Sequence, residues 1–327
     1  MNKKIKWGIV GLGRIAHKFA NDLKLVENAE LVAVASSDID RSKAFAQQHE
    51  VSNYYGNYDS LYKDKEVDVV YIATMHHTHA QESIAAMNHK KHVLCEKPVA
   101  VNSKDAKKMI EASQRNEVFF MEAFWSRFNP SIVKIKELID SGEIGKVRYI
   151  NADFTFYNLE ADINGRILNT NYAGGSLLDV GIYPLFLSYL VLGKPNEILA
   201  RSKFFHTGAE IQTSMILDYP DAQAVLYRGF ASNTDMQAKI CGEKGEIYIQ
   251  PIWHETQGFT IVKNGNQKTH SLPTTGKGYA HEILEVHSCI AKNQLESKMW
   301  SHQNSLDLIK MADDVRAQSG IKFPFEK

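Results

Sequence analysis

Apolar and polar positions alternate along this chain with two different periods. In the first third, short apolar runs bounded by turn residues (Ile5–Val10, Leu31–Ala35, Val67–Thr74, His92–Glu96 and Val118–Ala123) are separated by stretches whose apolar residues return at helical spacing. Examples are Ala80–His89, with Ile84 and Met87, and Lys104–Arg115, with Ala106, Met109 and Ile110. Buried strands alternating with amphipathic helices predict a parallel sheet with helices on both faces. After a helix over Pro130–Asp140 the pattern changes: Lys146–Phe156, Ile211–Tyr219, Ala222–Phe230 and Gly245–Gln250 alternate with period two. Such segments predict a mostly antiparallel sheet, and helices over Ala280–Ala291 and His302–Gln318 close the chain. The expected fold class is α/β, a doubly wound parallel domain over residues 1–124 followed by a second α/β domain with a large open sheet over 125–327.

The first apolar run passes directly into Gly11-Leu-Gly13-Arg-Ile-Ala16 and then a helical pattern. This is the G-x-G-x-x-A turn of a dinucleotide-binding Rossmann domain. Gly11 permits the tight turn, Gly13 lets backbone approach a pyrophosphate, and Ala16 is small enough for close helix–strand packing. The diphosphate would rest on the helix N-terminus at Arg14 and Ile15, where free N–H groups and the macrodipole favour an anion. The ribose-reading position, about twenty residues past the last small residue, falls on Ser36. With Ser36-Ser37 in place of an acid and Arg41 within reach, a 2′-phosphate is not repelled and a forked guanidinium contact is available, so NADP is favoured. The alternative is NAD, with Asp38 as the ribose ligand.

Composition narrows the function without naming it. Lysine plus arginine and aspartate plus glutamate number 38 each, so no basic excess points to nucleic acid or a membrane surface, and a small-molecule partner is expected. No signal-like segment and no run of about eighteen apolar residues occurs, which predicts a soluble cytoplasmic protein. Three widely spaced cysteines, Cys95, Cys241 and Cys289, suggest neither a disulfide framework nor zinc. No metal is expected at the histidines His76, His77, His79 and His89 either, because neighbours such as His76 and His77 diverge on an extended segment.

Two further segments carry candidate chemistry. Lys97, in Glu96-Lys97-Pro98, follows a strand at the carboxyl edge where open α/β sheets bind ligands, and the proline biases it toward an extended backbone. It is either a lysine facing the nicotinamide or a solvated lysine beside a turn proline. In Ala173-Gly-Gly-Ser-Leu-Leu-Asp-Val-Gly-Ile-Tyr-Pro184, Asp179 and Tyr183 stand four apart and share a face if the segment is helical. A phenol can exchange a proton with a substrate oxygen, and a nearby ammonium would lower its pKa from about 10. The alternative is a dipole-complementing carboxylate and a packed tyrosine. Trp125 and Arg127 fit either interdomain packing or the lining of a cleft near the nicotinamide.

Taken in order, the glycine turn, Glu96-Lys97-Pro98, Met121-Glu-Ala-Phe-Trp-Ser-Arg-Phe128 and Gly174-Gly-Ser-Leu-Leu-Asp-Val-Gly-Ile-Tyr183 resemble the glucose–fructose oxidoreductase/inositol dehydrogenase (Gfo/Idh/MocA) family. The branch most resembled is that of dimeric dihydrodiol dehydrogenases and NADP-dependent D-xylose dehydrogenases, over nearly the whole chain to Gly320-Ile-Lys-Phe-Pro-Phe-Glu326. The resemblance implies a nicotinamide-dependent dehydrogenase or reductase acting on a sugar, cyclic diol or related carbonyl. It implies Lys97 and Tyr183 as the catalytic pair and Asp179 as a substrate-binding or orienting carboxylate. It also implies cofactor contacts from Gly11, Gly13, Arg14, Ile15, Ser36, Ser37, Arg41, Glu96 and Lys97, and from the loop between Thr74 and His79. Arg166 matches an arginine that contacts cofactor in some relatives, although Gly165 stands where a tryptophan is often found. A homodimer or higher homo-oligomer through the C-terminal sheet is expected, with Phe204, Ile216, Leu226 and Phe230 as candidates for an uncovered face. The competing class is a cofactor-binding regulator without turnover, which would not need the lysine and tyrosine.

Overall fold

The computed structural model describes residues 4–326. Among them the strands form one sheet of six and one of eight. The chain divides into two compact units: one runs to Phe128 and resumes over Thr275–Leu306, the other holds Asn129–Thr274 and the chain from Asp307 on.

The first unit contains β1 (Ile5–Val10), α1 (Arg14–Leu23), β2 (Ala29–Ala35), α2 (Ile39–His49), β3 (Asn53–Tyr55), α3 (Tyr58–Lys63), β4 (Val69–Ile72), α4 (His79–Asn88), β5 (His92–Glu96), α5 (Ser103–Asn116) and β6 (Phe120–Ala123). All its strand pairs are parallel, in the order β3-β2-β1-β4-β5-β6. This is the doubly wound Rossmann order. Strands β4 and β6 are buried along their whole length, as strands covered on both faces must be. The register sets Val10 beside Ala35 and Ile72, Ile72 beside Cys95, and Glu96 beside Ala123, so the carboxyl ends align along one edge.

In the second unit α6 (Pro130–Asp140) precedes β7 (Val147–Thr155), α7 (Ile182–Leu192), β8 (Glu197–Phe204), β9 (Glu210–Asp218), β10 (Gln223–Gly229), β11 (Ala238–Gly242), β12 (Gly245–Ile249), β13 (Gly258–Lys263) and β14 (Asn266–Ser271). Sheet order is β14-β13-β12-β11-β7-β10-β9-β8, antiparallel except for the β7–β10 pair. Helix α7, Ile-Tyr-Pro-Leu-Phe-Leu-Ser-Tyr-Leu-Val-Leu, is apolar nearly all round and is buried from Ile182 to Ser188.

After β14 come α8 (Tyr279–Ala291) and α9 (His302–Ser319). The single boundary expected after residue 124 differs from this arrangement, because Thr275–Leu306 rejoins the first unit. Its anchors are long-range and polar. The buried Asp22 carboxylate accepts the Lys277 and Tyr279 N–H groups at 2.9 Å, Trp7 Nε1 donates to His287 Nε2 at 3.0 Å, and Trp300 Nε1 donates to Glu122 at 3.0 Å. Local periodicity carries no trace of such pairings.

Candidate active site

In the first unit the candidate residues gather at the carboxyl edge of the sheet. Gly11 has φ +89, and a Cβ there would lie 2.6 Å from the Ala73 carbonyl, so only glycine fits. At Gly13 a Cβ would meet nothing within 4 Å, leaving open space over the start of α1. That helix has no side-chain cap and no acid in its first turn, and its first bond, Ala16 N–H to the Gly13 carbonyl, leaves the Arg14 and Ile15 amides available to an anion. These features fit a dinucleotide diphosphate.

Strand β2 delivers Ser36 and Ser37. Ser36 is buried and its hydroxyl accepts the Asp38 N–H at 3.3 Å, whereas Ser37 and Arg41 are exposed. Asp38 is the N-cap of α2, its carboxylate accepting the Asp40 and Arg41 N–H groups at 2.9 and 3.2 Å. The cap engages Oδ1 alone of this exposed carboxylate.

Lys97 follows β5 directly and is half-buried, before a cis Lys97–Pro98 peptide bond. Three buried side chains from three elements hold this turn by its backbone. Glu96 accepts the Lys97 N–H at 3.2 Å and the Tyr71 hydroxyl; His79 Nδ1 lies 2.8 Å from the Pro98 carbonyl; and Glu122 of β6 accepts the Val99 N–H at 2.8 Å. Burial raises the Glu96 and Glu122 pKa values against the pull of these donors. Burial also draws His79 down to about 4, so it is neutral near pH 7 with one N–H. The shorter contact assigns that N–H to Nδ1 and Pro98, since Nε2 lies 3.2 Å from the Thr74 carbonyl. His79, expected from the resemblance to meet cofactor, is fully buried on backbone carbonyls, while Thr74 lies just past the end of β4, its hydroxyl accepting from Thr78 at 2.8 Å. Trp125 stacks on Tyr279 at 5.1 Å, and Arg127 donates to the Met299 carbonyl at 2.9 Å, packing both within the first unit.

In the second unit, Asp179 and Tyr183 do not lie on one regular helix as the spacing suggested. Leu177–Gly181 forms a single π turn that leads into α7. Pro184 explains it: the ring offers no N–H to the Val180 carbonyl and would crowd it in a regular helix, and a wider turn relieves both problems. Asp179 is paired with Arg166, at 3.2 Å, so the arginine that the resemblance linked to cofactor contacts a carboxylate in this structure. The buried Tyr183 ring packs 5.3 Å from Phe154 and 5.1 Å from His254, which themselves stack at 4.1 Å.

Sequence reasoning missed Glu122, Phe154, His254, Glu210 and Arg228. Glu122 stood inside a quoted motif, and its charge on a short buried strand was a usable signal. Arg228, in an apolar alternation between Leu226 and Phe230, was another. Nothing local pointed to His254, which precedes β13 and meets Tyr183 only through the sheet. Among the described residues no group of three or more His, Cys, Asp or Glu side chains is arranged to hold a metal ion. A groove of about 680 Å³, lined in part by Ile5, His92 and His287, opens at the amino ends of β1 and β5, the opposite edge from the glycine turn.

Residues 5–124 match the model of an oxidoreductase family with an NAD-binding Rossmann fold, and residues 132–248 match the GFO/IDH/MocA C-terminal domain. The chain is 34% identical to trans-1,2-dihydrobenzene-1,2-diol dehydrogenase of Mus musculus, over 99% of both chains, and 31% identical to the Homo sapiens protein of that name over the same shares. Its fold is similar to KijD10, a 3-ketoreductase from Actinomadura kijaniata solved with NADP, with a TM-score of 0.87, 23% identity and coverage of 97% of this chain and 98% of that one. It is similar also to an aldose–aldose oxidoreductase from Caulobacter crescentus, with a TM-score of 0.89, 23% identity and the same coverage.

Proposed function

The chain belongs to the GFO/IDH/MocA family of NAD(P)-binding oxidoreductases, and from that premise we propose that it is an NADP-preferring enzyme that interconverts a hydroxyl and a carbonyl on a sugar or cyclic diol. The observation that carries the cofactor preference is the pairing of exposed Ser37 and Arg41 past β2, with Asp38 engaged as a helix cap. A 2′-phosphate meets a hydroxyl and a guanidinium there. The substrate class follows the relatives, named for a dihydrodiol, a ketone and aldoses.

The nicotinamide, when bound, accepts or donates the hydride. Everything else falls to the chain. The α1 N-terminus and Gly13 are assigned the diphosphate, Lys97 the cationic member of the catalytic pair, and Tyr183 the proton exchange with substrate oxygen. Asp179, oriented by Arg166, is assigned substrate hydroxyl binding. A second copy of the chain is proposed to pair through the eight-stranded sheet, and among the described residues no helix is long and apolar enough to cross a membrane. The direct test follows NADPH oxidation and NADP⁺ reduction across aldoses, ketoses, dicarbonyls and cyclic diols. Turnover of at least one class with NADP, faster than with NAD, is expected; cofactor binding without turnover of any would overturn the assignment.

A further inference from the structure

Beneath the segment that carries Asp179 and Tyr183 lies an ion pair with no exposure to solvent. Arg228 of β10 and Glu210 of β9 are 0% and 1% exposed and meet at 2.6 Å. The same guanidinium donates to the Ser176 hydroxyl at 2.8 Å and to the Thr213 hydroxyl at 3.0 Å. The Glu210 carboxylate accepts the backbone N–H groups of Ser176 and Leu177 at 3.1 and 3.0 Å, and the hydroxyls of Ser176 and Thr213 at 2.9 and 2.8 Å. A carboxylate thus satisfies the first amides of the π turn from 34 residues away in sequence, as a local N-cap would.

The glycines of the segment fit the same arrangement. Gly175 has φ +131 and bridges to Glu210, and a Cβ on Gly181 would lie 1.9 Å from Arg228 Cδ and 2.4 Å from Nε. Arg228 therefore occupies the volume that a side chain at 181 would need. Buried ion pairs are poor sources of net stability, since apolar replacements often serve as well or better. What a forked guanidinium with fixed acceptors provides is geometry.

We propose that Glu210 and Arg228 are positioning residues for the reaction: through Ser176, Leu177 and Gly181 they fix the height and rotation of the π turn, and with it where Asp179 and the Tyr183 hydroxyl are presented to substrate. The inference rests on the assignment of Tyr183 as proton carrier, and its test separates the two. Arg228→Lys keeps the charge but loses the fork, and Ser176→Ala keeps the ion pair but removes one of its anchors to the turn. Each is compared with wild type and with Tyr183→Phe for kcat, KM, the pH dependence of kcat, NADPH affinity and thermal melting. Misplacement by about an ångström can cost about a hundredfold in rate, so Arg228→Lys should lower kcat about 10- to 100-fold and Ser176→Ala severalfold. The apparent pKa in the kcat profile should move, and NADPH affinity should not. A role in stability alone would scale kcat with the folded fraction and leave that pKa in place. Folded variants with the wild-type kcat profile, beside an impaired Tyr183→Phe, overturn the positioning role; a wild-type Tyr183→Phe overturns the assignment beneath it. Should Arg228→Lys not fold, Ser176→Ala alone decides.

Discussion

Tyr183 and Arg41 carry the most direct tests at the scale of single residues. If Tyr183 exchanges the substrate proton, Tyr183→Phe removes the acid–base group while keeping a ring that packs against Phe154 and His254. The rate should fall about 10²–10⁴-fold with NADPH affinity nearly unchanged, and single-turnover rates beside a binding titration would show it. A wild-type rate would return Tyr183 to the core. Arg41→Ala removes the exposed guanidinium beyond β2. A charge-assisted contact is worth about 1.5–3 kcal/mol, so NADPH affinity should weaken about 10- to 100-fold while NADH affinity holds. Equal losses for both cofactors would mean that Arg41 does not read the phosphate. Residue identity made these candidates legible, because glycines, Lys97 and Tyr183 occur in ordered motifs. Asp38 was not legible in the same way: its type fits a ribose ligand and a helix cap equally, and the cap shows only in its bonds to the Asp40 and Arg41 amides.

Among the elements, those with a strong period were readable almost to the residue: Ile5–Val10, His92–Glu96 and Pro130–Asp140 lie where the pattern put them. Strand β14, Asn-Gln-Lys-Thr-His-Ser, shows no alternation because it is an exposed edge, and three-residue β3 is too short to have a period. Helix α8 hides a different feature, invisible to pattern. Glu282 on it is 0% exposed, and neither carboxyl oxygen has a hydrogen-bond partner. Burial first, then the Glu96 and Asp22 charges, raise its pKa well above the ordinary carboxyl value. The folded chain therefore keeps a proton that the unfolded chain releases above about pH 4.3. Stability from this group is fully present below that pH and is lost as pH rises toward the folded-state pKa. Glu282→Gln should match wild type near pH 4 and become more stable by up to about 1.4 kcal/mol per pH unit above it until the folded group titrates. Denaturant midpoints at pH 4.5 and 7.5 measure the gap, and a gap independent of pH would contradict a buried, protonated Glu282.

At the scale of the whole molecule, the two sheet types were legible from period alone, whereas the return of Thr275–Leu306 to the first unit was not, because it depends on contacts such as Asp22 with the Lys277 and Tyr279 amides. The expected open face needed a similar correction. Phe204 and Ile216 are exposed, but Leu226 and Phe230 are buried; along β10 the sides alternate, with Leu226 inward and Val225 outward. The register supplies the missing neighbours: Leu199 pairs with Ile216 and Ile216 with Val225, forming one apolar row across β8, β9 and β10 at 49%, 41% and 37% exposure. Tyr149 and Tyr248 are also exposed on β7 and β12. An apolar patch of this breadth on an open sheet suits a symmetric partner, and a stable interface needs about 800 Å² from each copy. If the proposed dimer forms through this row, a lysine at its centre puts two like charges into a desolvated contact. Ile216→Lys should therefore sediment as a monomer at micromolar concentration where wild type sediments as a dimer, with NADPH affinity retained because residue 216 lies in the other unit from the glycine turn. A wild-type monomer would remove the dimer proposal altogether, and an Ile216→Lys dimer would move the interface off this row.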